Sequence, residues 1–391
     1  MGLIPLILVS AALLELPAVD VTDLNGQKLS GQLQKLTPSE LVLSSAGKEK
    51  VLPLTEVLDV RFVNQLPAPE KNAKLIQVSL IDTSEIACSS LLTAGPNTEV
   101  KSISFGDLNL SAKSISHIRF SATDKKLDLL WKQLTQREIR QDLVVVRKGD
   151  VLDFLEGVVG DVSENEIKFL LDGDELPVPR DRVFGVIYFR QRTESSRKPI
   201  CEIRGAGSDV LNVSQLAFNG QQVQARLVSG NQVAVPVNKL SGIDFSLGKI
   251  SYLSDLEPRD VKYTPFFNDV WEYRRDRNLD GDPLRVGKQT YSRGLCIHSR
   301  TLLKYRLGQE YRRFRAIMGI DQSVATRGGD VHVIIRGDGK VLLEADCKGD
   351  DAPRALDLDV EKIRDLEIFV DYGKYIDIAD HLDLADARLI K

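Results

Sequence analysis

Residues 377–389 read DIADHLDLADARL, and residues 291–299 read YSRGLCIHS. In the first stretch Leu382 and Leu384 alternate with Asp383, the period-2 pattern of a strand with one face turned inward. Working outward, the same alternation recurs in KYRL (304–307), RRFRAIMGI (312–320), DVHVIIRG (330–337), KVLLEAD (340–346), ALDLDV (355–360) and DLEIFVDYG (365–373). Gly328-Gly329, Asp338-Gly339 and Gly349-Asp350 punctuate them as turns. With no helical pattern between these strands, antiparallel pairing follows, and residues 255–391 are predicted to form a jelly-roll-like β-sandwich.

The preceding residues repeat themselves. VLDVRF (57–62), SISHIRF (114–120), VFGVIYF (183–189) and LSGIDF (240–245) each end an array of short strand-like runs. The first and third copies correspond closely: a turn at Asn25-Gly26 or at 148–150, a glycine at 31 or 157, a proline at 53 or 179. Asn-Gly and Gly-Asp supply tight hairpin turns, and a glycine inside the second strand suits a bend toward a small barrel. Four antiparallel β-meander or barrel repeats are expected over 19–64, 75–121, 142–190 and 198–247, the second and fourth degraded. They are loosely similar to SH3-like or Sm-like small barrels, a likeness that carries no function. Within 123–141, Leu127, Leu130, Trp131, Leu134 and Ile139 fall near helical spacing, which predicts one linking helix packed on a neighbouring repeat. The fold class is therefore mainly β, an array of four repeats followed by a sandwich.

The 391 residues carry a net charge of −4 with cations scattered among the acids, which excludes a nucleic-acid surface. The one long apolar run, MGLIPLILVSAALLELPAV, is interrupted by Glu15 and Pro17. It is too short for a stable membrane span and reads as a signal peptide over 1–18, so export to the periplasm, cell surface or medium is expected. A buried first strand is the other reading. Cys88, Cys201, Cys296 and Cys347 show no zinc-ligand spacing. They read as isolated core residues, with a Cys296–Cys347 pair left open.

The C-terminal residues resemble the NPCBM family of carbohydrate-binding modules. Gly294, His298 and Ser299 match its G-x-x-x-H-[SA] strand, and Tyr305, Leu307 and Phe314 its next strands. Gly319-Ile320-Asp321 match a G-[IV]-D turn, Asp338-Gly339 a hairpin, and Asp380-His381, Asp383, Ala385, Ala387 and Arg388 the closing run. Leu384 stands where the family usually has tryptophan, a substitution with little consequence if the position faces the core. The resemblance implies glycan binding without catalysis, in which carboxylates and imidazoles meet sugar hydroxyls and an aromatic ring meets the C–H face. His298, Ser299, Asp321, Asp380, His381, Asp383, Tyr291, Tyr372 and Trp271 are the candidate carbohydrate contacts. For His298 and His381 a structural role, locking strand ends, competes with binding. His332, inside VHVII, reads as structural. Residues 276–281 (DRNLDG) begin like a calcium loop, but Gly287 holds the place of its bidentate acid, so a hydrogen-bonded Asx turn is expected and no metal or other cofactor.

No nucleophile elbow, zincin motif or phosphate loop is present in the sequence. The expectation is a non-catalytic exported protein whose sandwich binds carbohydrate, a glycan or polysaccharide, with the repeats as scaffold or spacer. The alternatives are an envelope protein that contacts other proteins and binds no sugar and, more weakly, a glycan-processing enzyme whose site has no recognised motif.

Overall fold

The structure, a computed structural model, describes residues 16–63, 75–121, 124–191, 197–266, 270–374 and 376–391. The expected signal peptide falls almost wholly outside these residues, as do Tyr375, an aromatic residue near the C-terminus, and the whole of the polar segment 65–74 between the first two repeats. The chain forms two units, Met1–Leu247 and Gly248–Lys391. Among the described residues no helix is long and apolar enough to cross a membrane.

In the first unit, the first repeat has strands Ala18–Asp23, Lys28–Leu36, Glu40–Ser45, Lys48–Pro53 and Val57–Phe62, with a 3-10 turn at Leu54–Glu56 before the last. The fifth strand returns to pair with the first, giving the order fifth, first, second, third, fourth. All four repeats share this order, including the second (Ile76–Leu80 to Ile115–Arg119) and the fourth (Cys201–Arg204 to Gly242–Asp244). Those two are thus complete in architecture although their sequences have drifted. A strand needs only alternation and a turn, so the pattern outlasts the residues that spell it. Pro53, Pro179 and Pro236 stand immediately before the 3-10 turns with φ near −60°. A proline fixes that angle and offers no N–H to extend the ladder, so these three fourth strands end there, while in the second repeat Ser111 holds the same place. Every second strand carries a register shift, which bends it around the core.

The repeats join through their fifth strands. Arg119 of the second faces Gly185 of the third, and Arg61 of the first faces Gly242 of the fourth. Both glycines are there for close approach: a Cβ at 185 would lie 2.6 Å from the Ile118 carbonyl oxygen, and one at 242 would lie 2.7 Å from that of Val60. Repeats two and four share a single ladder pair, Val210 opposite Glu85, and are otherwise stitched by side chains. Asp209 accepts from the Ala87 N–H at 2.9 Å, Asp82 from the Ser229 N–H at 2.6 Å, and Ser84 Oγ from the Asn212 N–H at 2.9 Å. The spatial order is therefore one, four, two, three, around an apolar core that includes Val60, Ile86, Phe169 and Ile243.

The linking helix spans Lys125–Gln136, capped by Asp124, whose carboxylate accepts from the N–H groups of Lys126 and Leu127. Its Leu127 and Trp131 bury against Phe184 of the third repeat. Ile139 lies beyond the helix.

The second unit is a sandwich. One sheet orders Arg274–Arg275, Gly294–His298, His381–Ile390, Arg313–Ile320 and Arg354–Asp359, with Ile250–Tyr252 on the far end of His381–Ile390. The other orders Asp260–Tyr263, Thr301–Arg306, Asp365–Tyr372, Asp330–Gly337 and Lys340–Lys348. All pairings are antiparallel. Ile297, Met318, Leu382 and Leu384 of the first sheet meet Leu303, Val333 and Ile368 of the second in one core. The hairpin Leu284–Val286 and Gln289–Tyr291 covers part of the first sheet's outer face through Leu284, Leu279 and Cys296. His381–Ile390 is consequently buried on both faces for its first five residues. All four cysteines are buried free thiols, so the Cys296–Cys347 pair does not form.

Candidate functional site

The ends of three strands of the second unit converge on two histidines. His298 closes Gly294–His298 and His381 opens His381–Ile390, directly opposite each other in the ladder. Their rings stand edge to face with centroids 5.7 Å apart. Trp271, just before Arg274–Arg275, lays its indole over His298 at 5.6 Å and 14° and tilts against His381 at 5.7 Å. Tyr263 meets His298 by its edge at 6.4 Å. The imidazoles are almost enclosed, whereas Trp271 keeps 39% of its surface open.

His298 Nδ1 lies 2.5 Å from the Ser299 carbonyl oxygen and, as the protonated nitrogen, donates to it. Burial lowers the pKa of this imidazole, opposed by the carbonyl of Ser299 and by Asp377. His381 is less tied: its Nδ1 is buried and has no hydrogen-bond partner among the described residues. Burial, and then the neighbouring His298, push its pKa down to about 4, so the ring is neutral at ordinary pH. A buried polar atom without a partner costs about 1–3 kcal/mol.

Beside the histidines, Ser299 Oγ donates to Asp380 Oδ2 at 2.5 Å and the Asp330 N–H donates to Asp380 Oδ1 at 3.2 Å. Burial nevertheless dominates and raises the Asp380 carboxyl to about 7, the charges of Asp377 and Asp330 adding to it. Tyr372 lies at the rim, its hydroxyl donating to the Thr264 carbonyl at 2.8 Å and its ring meeting Phe266 edge-on at 5.4 Å.

The sequence-derived candidates thus separate by depth. Trp271, His298, His381 and the Ser299–Asp380 pair adjoin one another, with Tyr372 alongside. Asp321 and Asp383 are fully buried beneath the outer hairpin. Tyr291 belongs to that hairpin, bonded to Gln289 at 2.7 Å and packed with Leu279, Leu284 and Cys296, apart from the histidines. His332 lies on the other sheet between Asp346 (2.7 Å) and Glu344 (3.2 Å), which raise its pKa. Leu384 is fully enclosed in the sandwich core. In the 276–281 turn, Asp276 accepts from the Gly294 N–H and from Arg293, and Asn278 Oδ1 accepts from the Asp282 N–H. Its polar atoms are engaged within the fold, as an Asx turn requires. Tyr263 and Phe266 escaped the sequence reading; the aromatic density of YTPFF (263–267) was the available signal.

Residues 249–390 match the NPCBM/NEW2 domain family. A curated protein of Renibacterium salmoninarum, "Putative endo-alpha-N-acetylgalactosaminidase", is 36% identical over 63 residues, 16% of this chain and 4% of that protein. Among solved structures, the CBM51-2 and INT domains of Clostridium perfringens ZmpB are similar at 25% identity and a TM-score of 0.34, over 37% of this chain and 32% of that one. The CBM51 of Clostridium perfringens GH95, in complex with methyl-galactose, is similar at 22% identity and a TM-score of 0.33, over 36% of this chain and 99% of that one. The chain spans less than two thirds of the curated relative and of the ZmpB structure.

Proposed function

We propose that the second unit binds carbohydrate, and that Trp271 and His381 form the contact surface. The observation that carries this reading is the pairing of a half-open indole with an adjacent buried imidazole nitrogen that has no partner. The indole offers an apolar face to the C–H side of a pyranose, and the enclosed imidazole nitrogen beside it is the polar atom that entry of a hydroxyl would satisfy. The match of residues 249–390 to a carbohydrate-binding family supports the same reading. His298 acts as the floor that holds Trp271 flat, since its own nitrogen is already committed to Ser299. The Ser299–Asp380 pair holds the neighbouring loop, and Tyr372 forms an outer wall. Asp321, Asp383 and Tyr291 act as supports rather than contacts.

In this reading the protein is non-catalytic and acts outside the cytoplasm, with the four repeats as a scaffold or spacer that can also meet other envelope proteins. Export rests on the apolar run at 1–18 and is checked by cell fractionation. Glycan binding is tested by screening the full chain against a glycan array and insoluble polysaccharides. Retention on at least one glycan, competed by the free sugar, is the expected result. Retention on none would leave the sandwich as a protein-contact module.

A further inference from the structure

Asp321 and Asp383 are both fully buried next to the His381 main chain, and their surroundings are opposite. Asp321 accepts from Asn278 Nδ2 (3.2 Å), the Arg285 N–H (3.1 Å), the Ser323 N–H (2.9 Å) and the Ser323 hydroxyl (2.5 Å). Four donors make it the anion of the pair. Asp383 has Cys296 and Gly319 as cross-strand neighbours, and neither of its oxygens makes a well-formed hydrogen bond among the described residues, although the Cys296 thiol and the Arg285 N–H lie close enough to oppose the rise in its pKa. A carboxylate placed there, beside a second carboxylate and away from water, would be an uncompensated buried charge. The favourable alternative is the neutral acid, which turns an orphaned acceptor into a donor.

We propose that Asp383 stands as a neutral carboxylic acid that donates its proton to the Asp321 carboxylate, and that this shared proton fastens the 276–285 segment and the His381 main chain. Asp321 links them directly. Its carboxylate holds Asn278 and the Arg285 N–H, and its own N–H donates to the His381 carbonyl at 2.8 Å. Asp383 is thus a positioning residue for the glycan surface, a role that rests on the binding reading above; the shared proton itself does not. Burial, and then Asp321, raise the Asp383 carboxyl well above its ordinary range against the Cys296 thiol and the Arg285 N–H; at Asp321 burial also pushes upward but is outweighed by the Asp383 proton and the donors of Ser323 and Arg285, which lower its carboxyl. The other titratable groups around the pair are the Cys296 thiol, Tyr291 of the hairpin, His381 two residues along the strand, and Asp280 and the exposed Arg285 of the 276–285 segment.

The test uses the full chain. At about pH 8.5, where Asp380 is largely ionised, infrared spectra of the wild type should contain the carbonyl band of a protonated carboxylic acid. The band should persist in Asp380→Asn and vanish in Asp383→Asn. Glycan affinity of the wild type should fall about tenfold or more as the proton is lost at alkaline pH. In Asp383→Asn, whose amide still donates to Asp321, it should stay flat. A wild type without the band, or a folded Asp383→Asn that keeps it, overturns the proposal. Should that variant not fold, carbon-13 labelling of the wild-type aspartate carboxyls decides: one signal that remains protonated supports the proposal, and none overturns it. If no glycan binds at all, the spectra still settle the shared proton, so the two readings fail separately.

Discussion

The indole of Trp271 lies at 14° to the imidazole of His298, with 5.6 Å between ring centroids. The histidine is almost completely buried and its Nδ1 is committed to the next carbonyl, so the tryptophan rests on a fixed floor. In the proposed binding mode, a platform held flat in this way would need little ordering when a sugar arrives, which would remove one of the ordinary costs of binding.

Leu384 occupies the place where the NPCBM family usually has tryptophan, and here that place is core. Leu384→Trp should therefore add no glycan affinity and should destabilise the sandwich by about 1–3 kcal/mol through overpacking. Urea unfolding and glycan titration of the same variant check both halves. Tighter binding at unchanged stability would mean that the position reaches the sugar.

Because burial holds the His381 pKa at about 4, below its ordinary 6.5, the unfolded chain takes up this proton first on acidification. Its contribution is present above about pH 6.5 and is lost as pH falls toward 4, at most about 3 kcal/mol. His381→Gln should flatten this acid limb of the unfolding profile. An unchanged limb would show that the ring is not held neutral.

Asp380 works in the opposite direction. Its carboxyl is raised to about 7, so its contribution is complete below about pH 4 and is lost as pH rises to 7. Asp380→Asn should gain stability relative to the wild type across that window, on the order of 1 kcal/mol per pH unit, and no further above it. A constant difference between the two proteins would contradict the assignment.

The seams between repeats give a prediction independent of sugar. Gly185→Ala and Gly242→Ala place a methyl group against a carbonyl of the facing strand and should each destabilise the first unit by about 1–3 kcal/mol. Glycan affinity should be unaffected. A neutral Gly185→Ala would show that the two fifth strands do not approach this closely.

The strands of the sandwich and of the repeats were legible because period-2 alternation and turn residues are local signals. A glycine inside the second strand was visible only in repeats one and three, at Gly31 and Gly157, whereas the register shifts fall beyond them, at Leu33/Lys35 and Val159/Val162, and occur without any glycine in repeats two and four. The pairing of repeat one with four and of two with three was not legible. It depends on Arg61 meeting Gly242 and Arg119 meeting Gly185, and no local pattern announces which strand a glycine will face. At the site, His298 and His381 stood out as residue types, but sequence could not rank them. Ranking required knowing that one nitrogen reaches the Ser299 carbonyl and the other reaches nothing. Asp321 and Asp383 looked like sugar ligands for a similar reason, since an aspartate's depth beneath a hairpin is a tertiary fact.

The central claim is tested most directly by one titration, in which full-length wild type, Trp271→Ala and His381→Ala are measured against a glycan that the wild type retains. Both variants should lose at least tenfold in affinity, about 1.4 kcal/mol, while remaining folded at the temperature of the titration. Wild-type affinity in both variants, with both folded, would contradict the account and place any sugar elsewhere on the sandwich.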